Sequence, residues 1–373
     1  MLRSCKFLVI VGIVLFIFNL SYARDNNDNK ISKNTIYIPR DFSSIQNAID
    51  NAKNGDVLLV SPGRYVGTIN FRGKAITIKS SSGPGVTIMD GNKNGSVVIF
   101  ESGENNKSVL EGFTIENGLQ PYGQNKGGGG VFCYRSGPLI KNNIIKNNKG
   151  ENGGGMLCLD CLEKKPLIIS NVIKNNEAVK GGGIRCSDSS PIIVNNIITA
   201  NNAGRLGGGI YWRQSSSPCI VNNTIFRNTA GEYGGGVFGS NAVTLEAPVV
   251  LSNNILWENR APKGTQLALN LSGTKVTVTS SDVQYGKAGV FLMTDNISLN
   301  YFADNISSNP RIKDTDSASL AAGSACIDAG ENKYLIPLGI AVDFNGNDRI
   351  LDGDNDGAAD VDIGACEFTP VSA

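Results

Sequence analysis

The sequence predicts an all-β chain wound as a parallel β-helix of three-strand coils, and three observations predict it. Of 373 residues, 45 are Gly and 43 are Asn, far more turn-forming residues than an ordinary globular chain carries. A unit led by proline recurs at Pro138, Pro166, Pro191, Pro218 and Pro248, at spacings of 28, 25, 27 and 30 residues, a period typical of solenoids. Within each unit short Val- and Ile-rich runs are broken by Asn or Gly, which suits strands and is too interrupted for helices.

From the N-terminus, Arg3 and Lys6 precede an apolar run from Phe7 to Phe18, and Ser21-Tyr22-Ala23 supplies small residues at a cleavage position. Residues 1–23 therefore read as a secretory signal, since the run falls short of the roughly 20 residues that span a bilayer. Residues 24–34 are a polar linker. Phe42, Ile45, Ile49 and Ala52 fall at helical spacing behind Ser43 or Ser44, predicting a helical plug for the open end of the first coil. Coils follow from near residue 56 to 310, about ten turns, within a β-helix region of residues 35–310. Residues 311–373 form a C-terminal cap.

In each repeat an Asn stands five positions after the proline, at Asn143, Asn171, Asn196, Asn223 and Asn253. A second series runs through Asn148, Asn176, Asn201, Asn228 and Asn259. Asn tolerates left-handed backbone, and its amide can bond to the Asn one coil away, so ladders at the corners are expected. Glycine clusters ending at Gly130, Gly155, Gly183, Gly209 and Gly236 mark a wider corner where φ can be positive.

Composition excludes several functions. Lys and Arg total 34 against 33 Asp and Glu, so no basic excess favours nucleic acid, and His is absent. Imidazole bases, Ser-His-Asp and Cys-His nucleophiles and His-ligated zinc are therefore ruled out.

After each glycine cluster the first residue (Val131, Met156, Ile184, Ile210, Val237) should point inward and the second (Phe132, Leu157, Arg185, Tyr211, Phe238) outward. Three aromatics among five outward positions suggest a groove on which sugar rings stack, with Tyr134 and Arg213 adding polar groups from the next outward row. The glycan-binding candidates are thus Phe132, Tyr134, Arg185, Tyr211, Arg213 and Phe238; the competing reading is that loops cover the row as a satellite core. Cys133, Cys158, Cys186 and Trp212 read as inward core, and Cys158-Leu-Asp-Cys161 alone is a weak metal signal. In the cap, Asp352, Asp354, Asp356, Asp360 and Asp362 are spaced around Gly357 as in loops that wrap Ca²⁺. The Glu usual at loop position twelve is replaced by Ile363, so this is not a standard helix-loop-helix site; a structural calcium that ties the cap together is expected, and the competing reading is a solvated acidic turn.

Ile36-Tyr-Ile-Pro39, Gly55-Asp-Val-Leu-Leu-Val-Ser-Pro-Gly-Arg-Tyr65 and Val109-Leu-Glu-Gly-Phe-Thr-Ile-Glu-Asn-Gly118 resemble secreted right-handed parallel β-helix proteins of the pectin-lyase-like superfamily. Gly323-Ser-Ala-Cys-Ile-Asp-Ala-Gly330 and Asp362-Ile-Gly-Ala-Cys-Glu-Phe368 are similar to the closing segment of its bacterial subgroup with a variable C-terminal anchor. The resemblance implies a right-handed helix and a polysaccharide partner. It also implies polysaccharide lyases, hydrolases, esterases and epimerases among its enzymes, but sites built on His do not carry over. Cys326 and Cys366, both in the closing segment, are expected to form a disulfide in an oxidising compartment. Together these readings describe a secreted, surface or periplasmic monomer that binds glycan or serves a structural role, with no assignable catalytic residue. The alternative is a calcium-dependent lyase of pectate-lyase-like type.

Overall fold

The computed structural model describes residues 34–123, 127–241, 248–271 and 273–370. The expected signal segment and nearly all of the linker lie outside them. Among the described residues, parallel strands stack into sheet A, of eleven strands from Thr35–Ile38 to Ser298–Tyr301, and sheets B and C, of nine each. Nine stacked strands make about eight full turns, fewer than the ten expected, because the coil opening at Lys275–Thr279 is the last to feed all three sheets. One coil runs Leu139–Lys141 in A, Ile144–Lys146 in B and Met156–Leu159 in C.

A fourth sheet, D, joins four coils between B and C, through Lys149–Asn152, Glu177–Lys180, Asn202–Leu206 and Thr229–Ala230. Three strands per coil were expected, and these segments escape that expectation because their polar sequences carry no apolar alternation. Inward side chains repeat in register, Ile140, Ile168, Ile193 and Ile220 on sheet A among them, all with no exposed surface. Each such burial stabilises by about 1.5–3 kcal/mol. The N-terminal plug is a helix, α1, over Ile45–Asn51, capped by Ser44 and burying Ile45, Ala48 and Ile49.

Two residues divide the work at each A–B corner. The residue at positive φ comes first: Asn142 (56°), Ser170 (53°), Asn195 (56°), Asn222 (52°) and Asn253 (54°). The next residue forms the ladder, Asn143, Asn171, Asn196, Asn223 and Asn254, the Nδ2 of each of the first four donating to the Oδ1 of the following rung at 3.0–3.1 Å. The fifth rung is therefore Asn254 rather than Asn253, because the preceding strand, Val249–Ser252, is one residue longer than Cys219–Val221 in the coil before. The second ladder runs Asn148, Asn176, Asn201, Asn228 and Asn259, as expected. At the glycine corner only the first of each triplet has positive φ, as Gly153 and Gly181 do. The third glycine is needed for space, since a Cβ on Gly155 would sit 2.6 Å from the carbonyl oxygen of Gly183.

The C-terminal segment lies along the flank of the coils. Ala318, Ala365 and Cys366 pack on Val172, Ile197 and Phe226, and Tyr334, Leu335 and Val361 pack on Val194 and Val221. Asn222 Nδ2 donates to the carbonyl oxygen of Asp362, and the Ala365 amide donates to Thr224 Oγ1. Asp362-Ile-Gly-Ala-Cys-Glu thus serves as a clasp, completed by a buried Arg349–Glu367 ion pair at 2.7 Å. Burial pushes the Glu367 carboxyl up, to about 9, while Arg349 pulls it back.

Candidate functional site

The outer face of sheet C carries the row predicted from alternation, in the predicted register: Phe132, Leu157, Arg185, Tyr211 and Phe238 stand directly above one another. Their exposure differs from the expectation. Phe132, Tyr211 and Phe238 are buried, and Tyr211, Phe238 and Ala268 form a satellite core with Leu206, Tyr233 and Phe291. The covering chain is the return from sheet D, whose close approach to sheet C is marked at Gly181, where a Cβ would meet the Cβ of Arg185 at 2.8 Å. The open aromatic platform is therefore corrected to a covered one, with Tyr134 half-buried and stacked on Phe132 at 6.2 Å between centroids.

What the covering leaves is a concentration of positive charge. Arg185 is only 7% exposed, its Nε has no hydrogen-bond partner, and no carboxylate pairs with it among the described residues. Its guanidinium lies 5.4 Å from the Tyr211 ring centre. Burial pushes its pKa down to about 10 and Arg213 acts in the same direction, while Tyr211 and Glu151 pull it back, and an arginine at that value stays charged at neutral pH. Lys180, at the end of a sheet D strand, is also shifted down, first by burial and then by Arg185, Arg205 and Arg213. Arg205 is offset by Glu232 at 2.6 Å, whereas Lys180, Arg185 and Arg213 have no ion-pair partner among the described residues.

The acidic loop is only partly convergent. Carboxylate oxygens of Asp328, Asp352 and Asp354 lie within 4.8 Å of one another. Asp328 Oδ2 accepts the amides of Gly353 and Asp354, and its buried Oδ1 has no partner. The Asp328 carboxyl is shifted up by burial, and by the neighbouring Asp354 and Asp352 charges as well. Asp356, Asp360 and Asp362 fall outside this cluster, which corrects the predicted five-carboxylate set. Asp356 Oδ1 accepts the Ala358 amide, Asp360 Oδ1 accepts Asn332 Nδ2, and Asp362 is turned inward to the amides of Asp328 and Phe368. Three oxygen donors and an orphaned carboxylate oxygen fit a hard cation such as Ca²⁺.

The profile of the family described as right handed beta helix region matches residues 22–247 and 163–306, which together take in most of the chain. This protein belongs to the right-handed beta-helix family. A search of curated proteins finds no match. Among solved structures, this right-handed β-helix is similar to pectate lyase Pel9A at 14% identity, covering 87% of this chain and 91% of that one with a TM-score of 0.41.

Elsewhere in this β-helix the cysteines depart from one expectation. Cys326 and Cys366 are both free and belong to different clusters, Cys326 Sγ donating to Asp282 and Cys366 Sγ to the carbonyl of Ser317, so the expected disulfide is absent. Cys133, Cys158 and Cys186 are buried thiols in register, as expected of core. Cys161 is buried beside them, its Sγ donating to the carbonyl of Leu159. Sequence reasoning missed Lys180, which lies in the unanticipated fourth sheet, and Asp328, which lies 24 residues before Asp352 with no local motif. Among the described residues no helix is long and apolar enough to cross a membrane.

Proposed function

We propose that this β-helix is a secreted protein that binds an anionic polysaccharide on the outer face of sheet C, through Arg185, Arg213 and Lys180. The observation that carries the reading is Arg185: a buried guanidinium with no direct ion pair, offset only through space by Glu151, is costly, and a ligand carboxylate supplies the missing contact. A uronate polymer repeats a carboxylate along its length, matching cations from successive coils. Secretion rests on the signal pattern of residues 1–23. Calcium at Asp328, Asp352 and Asp354 would hold the C-terminal segment and have no part in ligand chemistry.

Binding without cleavage is favoured over lyase action by the placement of the charges. A calcium-assisted lyase needs metal and cationic base on one sugar. Here the acidic cluster belongs to the segment packed over sheets A and B, whereas Arg185 faces out from sheet C. The test is titration of the full chain with polygalacturonate, alginate and neutral polymers. Acidic polymers should bind more tightly than neutral ones and more weakly as salt rises, and Arg185→Gln with Arg213→Gln should weaken acidic-polymer binding at least tenfold. Equal binding of neutral polymers, or unchanged binding by the double variant, would refute the proposal. Growth of unsaturated-uronide absorbance would establish the lyase alternative.

A further inference from the structure

We infer that the cleft between the A–B corner and the C-terminal segment is a second binding site, for one or two units of a neutral sugar. The cleft has a volume of about 490 Å³, within the range of small-molecule sites. One wall is the solenoid corner, with Asn142, Ser170 and Lys174; the other is the C-terminal segment, with Asp316, Phe344 and Asn345. It is remote from Arg185, which faces outward from sheet C.

Three features select the ligand. Ser170 is 8% exposed and lines the cleft, and its hydroxyl forms no hydrogen bond with the described residues. The carboxamides of Asn142 and Asn345 are likewise unbonded there, so the cleft offers donors and acceptors suited to sugar hydroxyls. Lys174 Nζ lies 2.6 Å from Asp316 Oδ1, and the other lining carboxylate, buried Asp343, is held by the amides of Asn347 and Glu367, so no lining charge is left free to pair with an anionic or cationic ligand. Half-buried Phe344, packed against Val172, supplies the apolar surface on which the C–H face of a pyranose rests. Ser170 has left-handed backbone with φ 53°, held by the ladder beneath it, so this wall is rigid before a ligand arrives.

The experiment is saturation-transfer NMR with calorimetry on the full chain, using glucose, galactose, N-acetylglucosamine and their β-linked disaccharides as probes. At least one should bind, with a dissociation constant on the order of 1 mM for a single sugar. Asn142→Ala combined with Asn345→Ala should weaken it at least tenfold; Ala200 already adopts φ 53° at the corner beside the second ladder, so alanine is accepted in this backbone conformation. Ser170→Asn, which places the residue of the equivalent corners at Asn195 and Asn222, should narrow the cleft and weaken binding with the fold intact. Arg185→Gln should leave neutral-sugar binding unchanged, which separates this site from the anionic one. Absence of transfer for every probe, or binding that survives both sets of cleft variants, would overturn the inference.

Discussion

Replacing Asn196 by Leu tests how much of the fold rests on one rung of the ladder. Asn196 is fully buried, and its Nδ2 donates to the carbonyls of Ile168 and Val194 at 2.8 and 2.9 Å and to Asn223 Oδ1 at 3.0 Å. Its Oδ1 accepts the backbone amide of Asn171 at 2.9 Å. Leucine is of similar size but can make none of these bonds. The Asn171 amide would be left buried and unsatisfied, and the Ile168 and Val194 carbonyls would each lose one donor, Val194 keeping the Ser170 amide at 3.1 Å. At about 1–3 kcal/mol for an orphaned buried group the loss comes to about 1–3 kcal/mol, a large share of the stability of an ordinary domain. Urea melts give the size of the loss, and hydrogen exchange at the Asn171 amide gives its location. Asn175→Gly is the control, since Asn175 is exposed at φ 54° in the neighbouring corner and glycine accepts that conformation. A loss for Asn196→Leu below about 1 kcal/mol, or no greater than for Asn175→Gly, would refute the argument that the ladder satisfies the corner.

Further predictions concern the glycine stack, a buried acid and the metal. Gly155→Ala places a Cβ 2.6 Å from the Gly183 carbonyl and should destabilise by about 1–3 kcal/mol, while Gly204→Ala, with no atom nearer than 3.8 Å, should change the urea midpoint little. Burial raises the Asp282 carboxyl from 3.8 to about 6, so the folded state holds that proton more tightly than the unfolded one and this contribution to stability is lost as pH rises from about 4 through 6. Asp282→Asn should therefore stabilise at pH 7.5 by up to about 3 kcal/mol and by nothing at pH 4, read from paired melts; a benefit equal at both pH values would contradict the shift. Millimolar calcium should raise the melting temperature and slow proteolysis of the 343–362 region relative to chelator, by about 2.7 kcal/mol at a hundredfold excess over the dissociation constant. Asp328→Asn and Asp354→Asn should each abolish that difference and Asp356→Asn should retain it, which separates the observed cluster from the loop spacing alone.

Sequence alone located the inward and outward rows, because alternation within a strand is a local property: Val131, Met156, Ile184, Ile210 and Val237 are all fully buried, and the residues after them stack in the predicted register. What the strand pattern could not show is what lies on top of it. Leu206 and Tyr233, which cover Tyr211 and Phe238, come from a polar segment with no strand signature of its own, so an outward row was read as an exposed one. The same limit explains the metal cluster. Asp352 and Asp354 were visible from loop spacing, but Asp328 joins them only through the path of the C-terminal segment. The rung at Asn254 was misplaced by one residue because counting from proline assumes equal strands.

The two asparagine ladders keep the same step from coil to coil, 28, 25, 27 and 31 residues in each, so the strand of sheet B between them never changes length. All variation in repeat length falls in the remainder of the coil, beyond the second rung. The rungs from Asn171 to Asn223 and from Asn176 to Asn228 also face both ways, the oxygen receiving from the coil before and the nitrogen giving to the coil after. A gene segment that duplicates or deletes one entire repeat therefore rejoins donor to acceptor without a mismatch, whereas a break inside the six residues from Asn196 to Asn201 severs both ladders at once. Such a molecule can lengthen by whole repeats and accept insertions of almost any size on one side. Inheritance of its length is quantised, while the decoration of that one side is left free to drift.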